Sequence, residues 1–259
     1  MKLRQALQRA REEKRSAFIP FIVAGDPDMA TSEKIIGGLQ KAGADALELG
    51  VPFSDPVADG VTVQRASERA LAAGATLKGV LDLVKRLRVR SVTIPICLFS
   101  YVNPIHKMGY ENFIKAAKVA GVNGALLVDL PPEEAEDYCR IARANEFETV
   151  FLSSPTTSDE RLRLIDACST GFVYYVAREG VTGAQEALPQ HLADKLATLR
   201  RSLANPLAVG FGISTPEHVR QLHGRADGIV VGSALVKLIE ENRATAVEAI
   251  AEKVRMLKG

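Results

Sequence analysis

The stretch LELGVPFSDPVADG, residues 47–60, places two carboxylates near each other in the chain but in different local settings. Glu48 lies inside a short apolar run that is typical of a buried strand, where a carboxylate is poorly solvated. Asp59 follows in a segment punctuated by proline and glycine, where no regular helix or strand is expected. The stretch therefore predicts an acid/base site made from one rigid and one mobile carboxylate.

Outward from this stretch, the chain repeats one pattern, a short apolar run followed by an amphipathic segment of helix length. The runs span residues 17–25, 45–50, 93–100, 124–130, 149–154, 171–177, 206–212 and 227–233. Runs that are apolar on both faces are typical of parallel strands covered by helices. Eight such units in 259 residues favour an α/β fold with a single (β/α)8 TIM barrel domain, residues 1–259, although spacing alone leaves a doubly wound sheet open.

Helices beyond the eight that a barrel needs are also expected. The first 15 residues have apolar positions at helical spacing and predict an extra helix ahead of the first strand. Residues 28–42 predict a helix for which Thr31 and Ser32 offer N-caps. The long segment between the second and third runs contains two predicted helices, so additional helices lie in the loops of the predicted barrel.

The composition gives no indication of nucleic-acid or membrane binding. A formal net charge of +2 is spread along the chain without a basic or acidic block. The cysteines Cys97, Cys139 and Cys168 lie far apart, which disfavours a disulfide framework or a zinc site. The N-terminus lacks the apolar core of a signal peptide, and no apolar run approaches the roughly 18 residues of a membrane span. We therefore expect a cytoplasmic protein.

Strand alternation predicts the direction of the Glu48 side chain. Ala46 and Glu48 share one face of the predicted strand, and Leu47 and Leu49 share the other, which suits the helix layer. Glu48 would then point into the mouth of the barrel, where active sites of this fold lie. Desolvation there would raise its pKa and suit it to proton exchange near neutral pH. The alternative is a strand-end glutamate paired with an arginine.

Two aspartates also follow strand ends, and each has two readings. Asp59 precedes a glycine and could be an ordinary turn residue. Its segment, stiffened by Pro52 and Pro56, also resembles an active-site lid. Asp129 closes the fourth run, and for it a helix-capping role before Pro131 and a catalytic role remain equally open.

Glycines at the last three strand ends predict a phosphate site. They occur in GVTG (180–183), GFG (210–212) and GS (232–233), and Ser233 precedes a helical segment. Backbone N–H groups of such turns and of a helix N-terminus bind phosphate, although plain turn requirements remain the alternative. Aromatic residues at or near strand ends predict a flat apolar part of the substrate, unless they serve barrel packing alone: Phe21, Phe99, Tyr101, Tyr174 and Phe211.

Missing residue types narrow the chemistry further. No lysine closes any of the runs, which leaves a Schiff-base mechanism without an obvious nucleophile. The histidines lie in loops or helices without metal-ligand spacing and are expected at the surface: His106, His191, His218 and His223. No serine at a strand end has a neighbouring histidine for a triad. The prediction is carboxylate acid/base catalysis on a phosphorylated substrate without a metal.

Seven motifs together resemble the tryptophan synthase α-subunit family over essentially the whole chain and in the family's order. They are FIVAGDP, LELGVPFSDPVADGVTVQRA, YVNPI, GALLVDLPPEE, REGVTGAQ, GFGIS and GIVVGSALVKLIE. The resemblance implies a (β/α)8 barrel lyase of tryptophan biosynthesis that cleaves indole-3-glycerol phosphate to indole and glyceraldehyde 3-phosphate. It implies no cofactor in this chain. It also implies a β-subunit partner in an α2β2 heterotetramer, which carries pyridoxal phosphate and receives indole through a tunnel.

The resemblance assigns roles by motif. Glu48 matches the family's acid/base glutamate, and Asp59 matches the aspartate that interacts with the indole nitrogen. Thr182 matches the residue of a second mobile loop that closes over Asp59, while residues 52–60 match the first mobile loop. The phosphate-binding positions are Gly183, Gly212, Gly232 and Ser233. The substrate-pocket positions are Phe21, Tyr101, Tyr174 and Phe211.

The chain departs from the family pattern at Ala177, where members often have serine, and in a short segment after GVTGAQ. Two other functions remain at this point. One is a non-catalytic barrel that binds and activates a β subunit, which the intact Glu48 and Asp59 disfavour. The other is a sugar-phosphate isomerase or epimerase on the same fold, which the aromatic pocket disfavours.

Overall fold

The computed structural model describes residues 1–177, 190–210 and 212–258. Within these ranges, eight parallel strands form a closed barrel in chain order, which confirms the predicted fold class. The strands are β1 (Ala17–Val23), β2 (Leu47–Gly50), β3 (Ile96–Ser100), β4 (Gly124–Leu127), β5 (Glu148–Ser153), β6 (Phe172–Val176), β7 (Leu207–Gly210) and β8 (Gly228–Val231). The sheet closes through pairing of β1 with β8.

Helices follow the strands around the outside of the barrel. They are α1 (Leu3–Glu12), α2 (Met29–Lys41), α3 (Val61–Ala72), α4 (Leu77–Val89), α5 (Val102–Met108), α6 (Tyr110–Ala120), α7 (Glu136–Ala144), α8 (Asp159–Cys168), α9 (Gln190–Ser202), α10 (Pro216–Leu222), α11 (Ser233–Glu241) and α12 (Ala246–Lys258). Short 3-10 turns lie at Pro132–Glu134 and Arg243–Thr245. Among the described helices, none combines the length and the apolar character that a membrane-spanning helix requires.

The buried residues form two layers that follow strand alternation. Leu47 and Leu49 belong to the larger layer between the strands and the helices. Ala46 belongs to the inner layer that fills the barrel, together with Phe21. Glu48, between the two leucines on β2, therefore extends to the inside of the barrel.

Several strands are shorter than their apolar runs, because a run can begin before the sheet pairing starts or continue after it ends. The first run reaches Gly25, but β1 ends at Val23, and the third run begins three residues before Ile96. The expected N-cap of α2 was wrong. Asp28 caps the helix, because its extended backbone lets Oδ1 accept the N–H of Thr31 at 2.8 Å. The Ser32 hydroxyl instead accepts the N–H of Gly25 at 3.0 Å.

Helix α1 closes the N-terminal end of the barrel. Its Leu3 and Leu7 side chains belong to the inner layer. Glu148, at the start of β5, accepts the N–H of Leu3 at 2.6 Å and the N–H of Arg4 at 3.0 Å. These bonds satisfy donors that a helix N-terminus leaves free. We propose that residues 1–259 form one domain, since α1 fills this end and α12 packs on α2.

The connection from β2 to β3 contains two helices where a barrel needs one. Helix α4 occupies the position of the connecting helix in the outer ring, and it packs against α2 and α6. Helix α3 packs against β1 and α11, and its Ala66 and Ala70 side chains join the inner layer at the C-terminal end. The inserted α3 thus forms part of the mouth of the barrel and follows Asp59 directly in the chain.

Candidate active site

A pocket opens at the C-terminal ends of the strands. Its lining residues are Phe21, Glu48, Asp59, Val63, Phe99, Tyr174, Gly210, Gly212, Ile213, Val230, Gly232 and Ser233. A second cavity, lined also by Leu152, Val128 and hydroxyl side chains, shares Asp59, Phe99 and Tyr174 with it. The two cavities together are large enough for a small organic substrate.

Glu48 is the buried acid of this pocket. Its side chain is 1% exposed, and its Oε1 atom has no hydrogen-bond partner among the described residues. Among the described residues, no arginine forms an ion pair with Glu48, so the alternative of a glutamate paired with an arginine has no support. Burial, and secondarily the charge of Asp59, raises the pKa of Glu48 to about 8. The carboxyl group therefore holds a proton at neutral pH and can donate it.

Asp59 reaches the same pocket from the loop. The hydroxyl of Tyr101 donates a hydrogen bond to its Oδ2 atom at 3.1 Å. Burial raises the pKa of Asp59 to about 6, although the Tyr101 hydrogen bond acts in the opposite direction. At neutral pH, Asp59 is thus mostly ionised while Glu48 is mostly protonated. Two carboxyl groups with pKa values on opposite sides of neutrality are typical of an acid/base pair.

Tyr101 also organises the loop that carries Asp59. Its hydroxyl accepts the N–H of Ala58 at 3.0 Å, and the Phe53 ring stacks on its ring with centroids 5.0 Å apart. From α3, the Gln64 amide donates to the Asp59 carbonyl oxygen at 2.9 Å. These contacts give the loop a defined conformation although it contains no helix or strand. Tyr101, predicted in the substrate pocket, lies behind Asp59 and lines neither cavity.

Another part of the pocket wall carries glycines and the start of a helix. Gly232 and Ser233 line it where α11 begins, and Gly212 lines it after β7. The first-turn N–H groups of a helix have no partners within the helix and favour negative charge. A Cβ atom at Gly232 would lie 3.3 Å from the Phe21 ring, so a larger residue would crowd the pocket wall.

Aromatic and aliphatic side chains form the remaining wall. The Phe21 and Phe99 rings meet edge to face with centroids 5.3 Å apart. Tyr174 lines both cavities beside Asp59. These side chains offer apolar surface against which an aromatic ring can pack, next to the carboxyl groups and the glycines of the same lining.

Most described site candidates meet at this pocket. Phe21, Glu48, Asp59, Tyr174, Gly212, Gly232 and Ser233 all line it. Thr182, Gly183 and Phe211 lie outside the described residues. Val63 and Ile213 also line the pocket, but the strand pattern does not predict them, because both lie outside the apolar runs. Val230 could have been found, since it alternates with Ile229 and Val231 on β8.

Asp129 and His218 line neither of the two cavities. The Asp129 carboxylate accepts the N–H of Val102 at 2.7 Å, so it caps the start of α5 rather than its own loop. His218 was expected at the surface, which is wrong, because it lies on the inner side of α10 and is 4% exposed. In the described part of the chain, no group of three or more His, Cys, Asp or Glu side chains is arranged to hold a metal.

Comparisons with known proteins agree with one another. The sequence model of a family described as tryptophan synthase alpha chain matches residues 7–258. The tryptophan synthase alpha chain of Pelobacter propionicus is 48% identical over 92% of this chain and 89% of its own. That of Geobacter sulfurreducens is 50% identical over 90% and 88%.

Solved structures give the same result. Tryptophan synthase subunit alpha from Legionella pneumophila superposes with a TM-score of 0.90 at 36% identity, over 99% of this chain and 97% of its own. A chain from the tryptophan synthase a2b2 complex of Pyrococcus furiosus gives a TM-score of 0.88 at 46% identity, over 93% and 97%.

Proposed function

The chain belongs to the tryptophan synthase alpha chain family, and from this premise we propose that Glu48 and Asp59 catalyse its reaction. That reaction is the retro-aldol cleavage of indole-3-glycerol phosphate to indole and glyceraldehyde 3-phosphate, a lyase step of tryptophan biosynthesis. The observation that carries the residue assignment is the buried Glu48 carboxyl, whose Oε1 atom has no hydrogen-bond partner among the described residues and which is mostly protonated at neutral pH, beside a mostly ionised Asp59.

The cleavage begins with proton transfer. The Glu48 carboxyl donates its proton to the indole ring carbon that bears the glycerol phosphate chain. The ring nitrogen becomes electron-poor, and the Asp59 carboxylate stabilises its N–H through a hydrogen bond. Because Asp59 is ionised and Glu48 is neutral, both groups hold the required protonation state before substrate arrives.

The second step breaks the carbon–carbon bond. The Glu48 carboxylate removes the proton from the hydroxyl group on the adjacent chain carbon, which becomes the aldehyde. The electron pair of the broken bond restores the aromatic indole, and the proton given in the first step remains on its ring carbon. Glu48 is thereby reprotonated and ready for the next cycle.

Binding positions follow from the two other sides of the pocket. We assign Gly212, Gly232 and Ser233, with Gly183 from the sequence, to the phosphate group. Phe21 and Tyr174 flank the indole ring, with Phe211 from the sequence. Tyr101 acts by fixing Asp59, and Thr182 is assigned, from the sequence, to the family's second mobile loop.

The partner is a β subunit. The Pyrococcus furiosus relative is described as part of an a2b2 complex, and we extend that assembly, an α2β2 heterotetramer, to this chain. Val57 on the Asp59 loop is 85% exposed and Val61 is 62% exposed, which provides apolar surface next to the mouth. Pyridoxal phosphate belongs to that partner and no cofactor to this chain. The free cysteines fit a cytoplasmic location.

The direct test is to add purified chain to indole-3-glycerol phosphate and to measure indole release with and without a β subunit. We expect slow turnover by the chain alone and a marked gain with the partner. A chain that only activates the β subunit would release no indole in either assay, and that result would refute the proposed function.

A further inference from the structure

Helix α3 is fixed at both of its ends by polar side chains. At its start, the Gln64 amide donates to the carbonyl oxygens of Asp59 at 2.9 Å and Pro56 at 3.4 Å. Near its C-terminal end, Arg69 leaves the helix on the side of β1 and α11. The helix therefore connects the Asp59 loop to the side chains that Arg69 contacts.

Arg69 holds two carboxylates on two other elements. Its Nε and one terminal nitrogen donate to both Asp26 oxygens at 2.8 and 2.9 Å, which is a bidentate pair. Its other terminal nitrogen donates to Glu240 Oε1 at 2.9 Å. Asp26 is 1% exposed and Arg69 is 17% exposed, so the bidentate pair is well shielded from solvent. Charge-assisted, bidentate bonds of this kind fix geometry more firmly than single neutral bonds.

Each partner of Arg69 belongs to an element that also lines the pocket. Asp26 follows β1, which carries Phe21 to the pocket wall. Glu240 lies on α11, whose first residue, Ser233, lines the pocket at the proposed phosphate position. The Arg69 guanidinium therefore links three elements: β1 with its pocket wall, α11 with the proposed phosphate position, and α3, which follows Asp59.

We propose that Arg69 is a positioning residue that couples anion binding at the start of α11 to the position of Asp59. An anion that settles against α11 fixes this helix, the Glu240 bond passes the constraint to α3, and Gln64 passes it to the Asp59 backbone. The proposal rests on the proposed roles of Asp59 and Ser233. It predicts that the anion and the ring part of the substrate favour each other's binding even when they are separate molecules.

The chain offers a matched control at the opposite end of the barrel. Arg15 also forms a bidentate pair, with Asp45 at 2.7 and 2.7 Å, and it also bonds a second carboxylate, Glu13, at 2.9 Å. Arg15 precedes β1, far from the mouth. The substitution Arg15→Met therefore removes the same kind of network without touching α3 or α11.

The experiment compares Arg69→Met, Arg15→Met and the wild type by the binding of indole with and without saturating inorganic phosphate. In the wild type and in Arg15→Met, we expect phosphate to tighten indole binding about fivefold or more. In Arg69→Met, we expect the phosphate effect to fall within twofold of none, and kcat for cleavage to fall about 10- to 100-fold with little change in KM.

A second variant separates coupling from folding. Glu240→Met breaks only the bond to α11 and leaves the buried Arg69–Asp26 pair intact, so its unfolding midpoint should stay near that of the wild type while the phosphate effect on indole binding falls. If phosphate has no effect in the wild type, or if Arg69→Met keeps the effect, the coupling is refuted. A wild type that still cleaves substrate, and needs Asp59 to do so, would show that only the coupling fails.

Discussion

Two glutamates are buried among the described residues, one at each end of the barrel, and their surroundings differ. Glu148 begins β5 at the closed end, and its two oxygens accept backbone N–H groups from α1 at 2.6 and 3.0 Å. Glu48 on β2 lines the pocket at the open end, and its Oε1 atom has no partner in the part of the chain that the structure describes. Burial raises the pKa of both.

The difference shows what each end of the barrel does. Hydrogen bonds from α1 partly offset the effect of burial on the pKa of Glu148, and in return its carboxylate joins a helix to the sheet. No such bond to the Oε1 atom of Glu48 is found within the described ranges, so burial raises the pKa of Glu48 without that offset and its proton is available to a ligand. An unsatisfied buried polar group is uncommon in folded proteins and is expected mainly where function requires it.

The largest expected effect is that of Glu48→Gln. The amide keeps the shape of the side chain but cannot exchange a proton, so kcat for indole release should fall by about 10³-fold or more. Binding of indole and phosphate should remain, as measured by equilibrium titration. Wild-type turnover in this variant would show that the unpartnered glutamate is not the acid, and the contrast with Glu148 would lose its functional meaning.

Asp59→Asn should have the next largest effect. Removing the charge leaves the developing positive charge on the ring nitrogen without its partner, so kcat should fall about 10²- to 10³-fold in the same assay. Asp129→Asn is the matched control, because Asp129 is an exposed strand-end aspartate whose carboxylate caps α5. It should keep turnover within a few fold, and equal losses in the two variants would reduce Asp59 to a loop residue.

Strand alternation predicted much of this site. It placed Glu48 inside the barrel, and the eight apolar runs gave all eight strands of the closed sheet. These features depend on residues close in sequence. Contacts across the chain could not be predicted in the same way. Glu148 was outside the predicted fifth run, because its partner, the start of α1, is about 145 positions away.

Tyr101 illustrates the same limit. Its position at a strand end predicted a substrate contact, but its direction is set by Phe53 and Asp59 on a loop more than 40 residues earlier. Arg69 gave no signal at all, since its two carboxylates lie on β1's loop and on α11. Periodicity reports which face of an element is buried, and it does not report which polar groups meet there.

The pH dependence of turnover tests the proposed protonation states of Glu48 and Asp59, with smaller expected changes in rate. Cleavage needs Glu48 protonated and Asp59 ionised, so kcat should be highest between about pH 6 and 8 and fall about tenfold per pH unit outside this window. The Tyr101 hydrogen bond lowers the pKa of Asp59, so Tyr101→Phe should move the acid flank to higher pH. The alkaline flank should stay in place. Movement of the alkaline flank alone would mean that the two carboxyl groups are assigned in the wrong order.

Glu148→Gln should have the smallest effect, and one on stability rather than turnover. The amide offers one acceptor to two N–H donors and directs its own NH₂ group at the second, so the free energy of unfolding should fall by about 1–3 kcal/mol. Urea unfolding measures this loss, and Glu146→Gln, an exposed neighbour, controls for the substitution. Turnover should remain within about threefold of the wild type, because α1 lies at the end of the barrel opposite the pocket.

Glu48→Gln should show the reverse, a large loss of turnover with little change in the free energy of unfolding. The wild-type carboxyl is already mostly neutral at pH 7, and its Oε1 atom has no hydrogen bond to the described residues that could be lost. A large loss of stability in Glu48→Gln would mean that this carboxyl also holds the fold, as Glu148 does.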